Sequence, residues 1–170
     1  ADDFAVISLG LISNDSVSCY GLADGSIEVV GLTNGNSVGP YEYSLDNSSW
    51  QSSGLFTGLT VGVYTVYVND LLGQCTYQED FTIYEPDYLT ISSELVNNIN
   101  CWGENSGSVD ITVVGGTLPY IFAWSDGTTT TQTLVASSTD TYSVTVTDAN
   151  SCSATDQEDV AINARPVVDV

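Results

Sequence analysis

The chain has 170 residues, and 22 carboxylates against a single base, Arg165, leave a formal net charge of −21 with no histidine or lysine. A chain so acidic repels phosphate backbones and anionic lipid, which excludes nucleic acid as a partner, and no run of about 18 apolar residues is present to insert in a membrane. With no His and no Lys, the usual general bases and activated nucleophiles are missing, so the inventory argues against an enzyme.

The chain opens ADDFAVISLG, without the basic n-region or cleavage site of a signal peptide, and reads as a mature fragment. Apolar residues then alternate with polar ones, the period-2 mark of half-buried strands, first at Ile27 and Val29. A Gly/Asn-rich loop from Thr33 to Gly39 follows, and the alternation resumes at Tyr41, Tyr43 and Leu45. The strand carrying Tyr64, Val66 and Val68 runs to Asp70 and on to Cys75, and Glu85-Pro86 closes this first stretch. A stiff, very short linker at Pro86-Asp87 marks a boundary. Beyond it the alternation returns at Val109, Ile111 and Val113, at Tyr120, Phe122 and Trp124, and at Tyr142, Val144 and Val146. No segment carries a helical stripe, so each half reads as an antiparallel β-sandwich of about seven short strands.

The two halves are one pattern written twice. Cys19-Tyr20-Gly21 returns as Cys101-Trp102-Gly103, Pro40-Tyr41 as Pro119-Tyr120, Tyr64-Thr65-Val66 as Tyr142-Ser143-Val144, Cys75 as Cys152, and Glu85-Pro86 as Arg165-Pro166. The offsets are 82, 79, 78, 77 and 80 residues, so the changes in length fall in loops, where insertion costs little. Residues 1–86 and 87–166 are the two repeats, and 167–170 read as the start of a third, as if the chain were cut from an array.

Four cysteines without a Cys-x-x-Cys or a Cys/His cluster point to disulfides rather than zinc, and hence to an oxidising, extracellular location. The repeat predicts one bond inside each sandwich, Cys19 to Cys75 and Cys101 to Cys152, each closing more than 50 residues and stabilising the unit by roughly 4 kcal/mol. Pairing across the repeats, Cys75 to Cys101, is the alternative.

Cys19-Tyr20-Gly21-Leu22-Ala23-Asp24-Gly25-Ser26-Ile27, Gly115-Gly116-Thr117-Leu118-Pro119-Tyr120, the stretch from Val144 to Cys152, and Glu85-Pro86 together resemble the SprB-type repeat of very large surface adhesins of the Bacteroidota, exported by the type IX system. The resemblance covers both halves. It implies an all-β fold of two tandem immunoglobulin-like or PKD-like sandwiches, no catalytic activity, and a cell-surface filament serving adhesion or gliding. The first repeat departs from it, with Leu32-Thr33-Asn34-Gly35 for Gly-Gly-Thr and Leu45 where the second repeat has Trp124.

Three sets of candidate site residues follow. Calcium, a hard cation suited to carboxylates, would be held by Asp24, Asp70, Asp87, Glu104 and Asp148; the competing account is turn chemistry, with these carboxylates accepting nearby backbone amides. Exposed Tyr20, Trp50 and Trp102 would stack a surface polysaccharide, whereas Tyr64, Tyr142 and Trp124 point inward, the two tyrosines as corner residues tying a loop by their hydroxyls. Asp15-Ser16-Val17 resembles an acidic-Ser-aliphatic O-glycosylation site of the same bacteria, with Ser16 as the acceptor. The function expected is a rigid adhesin stalk whose partners are neighbouring repeats of one long polypeptide. A tandem carbohydrate-binding module and a self-assembling filament subunit are the alternatives.

Overall fold

Alternation along the chain becomes strands throughout the computed structural model, which describes residues 8–33, 40–72, 75–101 and 106–163. Two compact units are present, Ala1–Glu85 and Pro86–Val170, and among the described residues there is no helix. The first unit has β1 (Ser8–Asp15), β2 (Gly25–Thr33), β3 (Tyr41–Ser44), β4 (Leu55–Leu59), β5 (Gly62–Asp70) and β6 (Cys75–Ile83). They form two antiparallel three-stranded sheets, ordered β1-β2-β4 and β3-β5-β6. The second unit repeats this plan with β7 (Thr90–Asn97), β8 (Gly107–Val114), β9 (Ile121–Trp124), β10 (Thr133–Ala136), β11 (Asp140–Thr147) and β12 (Ser153–Val160). Its sheets are β10-β8-β7 and β12-β11-β9. Six strands per unit, not seven, are therefore described.

Each unit buries one core between its two sheets. Ile27 and Val29 of β2 meet Val66 and Val68 of β5 and Ile83 of β6, all fully or almost fully buried, while Glu28 and Val30 face out. In the second unit Val109 and Ile111 of β8 meet Val144 and Val146 of β11, with Leu134, Trp124 and Val160 closing the core. Period-2 patterning produces this because successive side chains leave a strand on opposite faces.

The last strand of each unit runs the length of its sandwich. In the first, Cys75 begins β6 opposite Asp70, and past the far end of β6 the carbonyl of Tyr84 accepts the amide of Val17 at 3.0 Å. In the second, Cys152 immediately precedes β12, and beyond the other end Ile99 forms a parallel bridge with Ile162.

That layout overturns the expected disulfides. Cys19 and Cys152 are each disulfide-bonded, and Cys101 is a free, exposed thiol. Neither Cys19–Cys75 nor Cys101–Cys152 forms, and Cys75–Cys101 does not form either. The reason is length: eight residues of β12 cover roughly 26 Å, and a disulfide needs Cα atoms within about 7 Å. Cys101 lies two residues past Ile99, at the end of the sandwich away from Cys152. Cys19 and Cys75 are separated in the same way by β6.

Candidate functional site

The most constrained polar cluster surrounds Asp148, at the turn between β11 and β12. Its side chain is buried, and all three hydrogen bonds come from backbone amides: Asn150 and Cys152 to Oδ1, both at 2.9 Å, and Thr117 to Oδ2 at 2.8 Å. The Gly-Gly-Thr segment makes this approach feasible. A Cβ on Gly115 would stand 2.1 Å from the carbonyl oxygen of Tyr88, and one on Gly116 would stand 2.9 Å from Asp148 Oδ2, and both residues have positive φ, 79° and 64°. The motif thus exists to let a loop close on a buried carboxylate. Gly116 in turn donates to the carbonyl of Asp87 at 2.8 Å.

The other calcium candidates that are described each have their own setting. Asp70 is buried and accepts the amide of Leu72 at 3.0 Å. Asp24 is exposed and accepts the amide of Ser18 at 2.9 Å as well as its hydroxyl; that hydroxyl, then the amide, hold its carboxyl below the usual range. Ser106 does the same work in the second repeat, taking the amide of Asn100 at 2.9 Å. Asp87 is exposed, and Glu104 lies outside the described residues. Among the described residues no group of three or more acidic, Cys or His side chains is placed to hold a metal ion. Asp24, Asp70 and Asp148 each accept nearby backbone amides, which is turn chemistry.

Of the three aromatic candidates, two are among the described residues. Tyr20 is 55% exposed in the β1–β2 loop, Trp50 is half-buried beside the Tyr43–Gln51 bridge, and Trp102 lies outside the described residues. Trp124 is in the core, its indole nitrogen donating to the carbonyl of Thr131 at 2.9 Å. The two corner tyrosines are present. Tyr64 and Tyr142 donate to the carbonyls of Thr60 and Ser138, four residues upstream, both at 3.1 Å. Ser16 is exposed on the loop after β1.

Three features went unread in the sequence. Asp46 accepts the amides of Ser48 and Ser49, and Asp126 those of Thr128 and Thr129. These amides and hydroxyls hold the Asp46 carboxyl well below its ordinary value, led by the Ser49 amide, and that of Asp126 at about 2, led by the Thr129 hydroxyl. The two aspartates are 80 residues apart, so the repeat register itself was the signal. Glu94 of β7 shares a hydrogen bond with Asp156 of β12, which, with burial and the charges of Asp156 and Glu158, raises its pKa. Third, a polar cleft of about 370 Å³ lies where the second unit's chain departs, lined mainly by Asn97, Asn98, Asn100, Asn163 and Ser106.

An antiparallel two-sheet sandwich, built twice from one pattern, is the construction of a tandem repeat domain. The family model of the SprB repeat matches residues 13–49 and again 93–129, one match in each half of the chain. No curated protein sequence matches it. In structure it is similar to the three N-terminal domains of the bacteriophage RB49 highly immunogenic outer capsid protein, at 17% identity and TM-score 0.49, over 92% of this chain and 59% of that one. It is similar too to a C-terminal intimin fragment solved with the translocated intimin receptor's intimin-binding domain, at 16% identity and TM-score 0.45, over 92% and 64%. A third likeness is to S-layer protein SbsC domains 4 and 5, at 13% identity and TM-score 0.40, over 92% and 98%. The chain spans about three fifths of the first two of these structures.

Proposed function

We propose that this chain is part of the stalk of a cell-surface adhesin, a spacer that holds a distal binding region away from the cell in adhesion or gliding. The observation that carries the reading belongs to each unit by itself. The chain enters at one end of the sandwich, where β1 or β7 begins, and leaves at the other, where β6 or β12 finishes, so every repeat advances the polypeptide. The acidic, lysine-free surface keeps such repeats soluble and mutually repelling. The two SprB matches support the same reading. Small-angle scattering on chains of increasing repeat number tests it: the maximum dimension should grow by roughly 30–40 Å for each added repeat. A dimension that stops growing as repeats fold back on one another overturns it, and so does retention on a polysaccharide column that is lost in Trp50→Ala or Tyr20→Ala.

A further inference from the structure

Residues 98–100 lie alongside 161–163 in the second unit, tied by the amide of Ile99 to the carbonyl of Ala161 and by the amide of Asn163 to the carbonyl of Ile99, both at 2.8 Å. Ile99 is buried and Ile162 packs against the same core. Alternation along each extended stretch therefore turns Asn98, Asn100 and Asn163 outward, and all three are exposed. With Asn97, Ser106 and Ser108 they line the cleft of about 370 Å³, which is within the size range of small-ligand sites. Apart from Val96, that lining consists of amides and hydroxyls, with no charged side chain.

The amides are anchored at one end and open at the other. The backbone amide of Ala161 donates to Asn98 Oδ1 at 2.9 Å, which fixes that side chain's orientation, since a backbone N–H can only donate. Asn163 Nδ2 donates to Asn100 Oδ1 at 3.2 Å, and Asn97 Nδ2 donates to Ser108 Oγ at 2.9 Å. Among the described residues this leaves Nδ2 of Asn98 and Asn100 available as donors, Oδ1 of Asn97 and Asn163 as acceptors, and the hydroxyl hydrogens of Ser106 and Ser108 as further donors. The matching place in the first repeat is built oppositely, with Asp15 and Asp24 standing where the second repeat has Asn97 and Ser106. There Ser26 donates to Asp15 Oδ2 at 3.0 Å, reversing the Asn97–Ser108 bond, and Asp24 takes both the amide and the hydroxyl of Ser18. Carboxylates consume the hydroxyl donors in the first repeat; neutral side chains release them in the second.

We propose that this cleft binds a neutral glycan, whose hydroxyls each donate and accept and so match a lining of fixed amide donors, amide acceptors and hydroxyls. An anionic ligand meets a chain of formal net charge −21 with no cation in the lining. A cation finds no carboxylate there, and an apolar ligand finds little but Val96. The site belongs to the second unit alone and does not depend on the spacer reading.

Titration of the isotope-labelled chain with maltohexaose, cellohexaose, mannohexaose and xylohexaose, followed by amide NMR, tests the proposal. At least one of the four should shift the side-chain amide signals of Asn98 and Asn100 saturably at millimolar concentration, while the backbone amides of Ser18 and Ser26 in the first repeat stay in place. The anionic hexagalacturonate should cause no such shift. Asn98→Ala combined with Asn100→Ala should weaken binding by about tenfold or more with an unchanged circular-dichroism spectrum, since both side chains are exposed. The proposal is overturned by no shift with any of the four sugars, by shifts that gather at Tyr20 or Trp50 instead, by tighter binding of hexagalacturonate, or by undiminished binding in the double variant.

Discussion

Carboxylates in this protein serve two opposite electrostatic roles, whether buried like Asp148 or exposed like Asp24, Asp46 and Asp126. Asp148 sits among three amides in a closed turn, so Asp148→Ala leaves those donors unsatisfied and should destabilise the second unit by about 2–3 kcal/mol in urea, with Gly116→Ala damaging the same turn through its positive φ. Asp24, Asp46 and Asp126 have lowered pKa values. Their contribution is therefore present above the ordinary value of 3.8 and fades as pH falls towards the folded values. Glu94 runs the other way: its raised pKa makes its contribution favourable at low pH and lost as pH rises through the folded value. Glu94→Gln should raise the thermal midpoint at pH 7 by about 2 °C, with the gain vanishing near pH 4 in scans across that range. Asp148 was visible in the sequence as a repeated acid after a strand. Its role was not, because an aspartate in a turn offers the same oxygens to calcium and to amides, and only the placement of Gly115, Gly116 and Thr117 decides between them.

Strand assignments were the most legible part of the molecule, since residues such as Ile27/Val29 and Val144/Val146 alternate cleanly and land in the two cores. The Asp46 and Asp126 turns were missed because a run of Ser or Thr after Asp looks like any polar loop until its two copies are aligned. The corner tyrosines were legible, and each should matter: Tyr142→Phe removes the hydroxyl bond to Ser138 and should lower the midpoint by roughly 5 °C in calorimetry. Edges complete the account at this scale. β6 and β12 lie at the margins of their sheets and carry exposed Glu79 and Asp80, and half-buried Asp156 and Glu158 with exposed Asp159. Charges there discourage pairing between chains. Replacing Glu79 by Gln and Asp80 by Asn should leave the far-ultraviolet spectrum unchanged while light scattering reports self-association.

For the molecule as a whole, each unit has its own core, and the disulfide supplements rather than creates the folds. Reduction, or Cys152→Ser, should preserve the β-sheet spectrum but lower stability by about 2–4 kcal/mol, read as a shifted denaturant midpoint. Pairing was the part the sequence misled on. Repeat symmetry suggests that cysteines inside one repeat belong together, yet the strand between them is what holds them apart. The parallel contact at the end of β12 carries one more consequence. When the two ends of the second unit are pulled, Ile99 and Ile162 are driven past each other lengthwise, and the bonds from Ile99 N to Ala161 O and from Asn163 N to Ile99 O lie across that motion. Bonds loaded in shear yield together rather than unzipping singly, so this patch acts as a tensile clasp for the second unit.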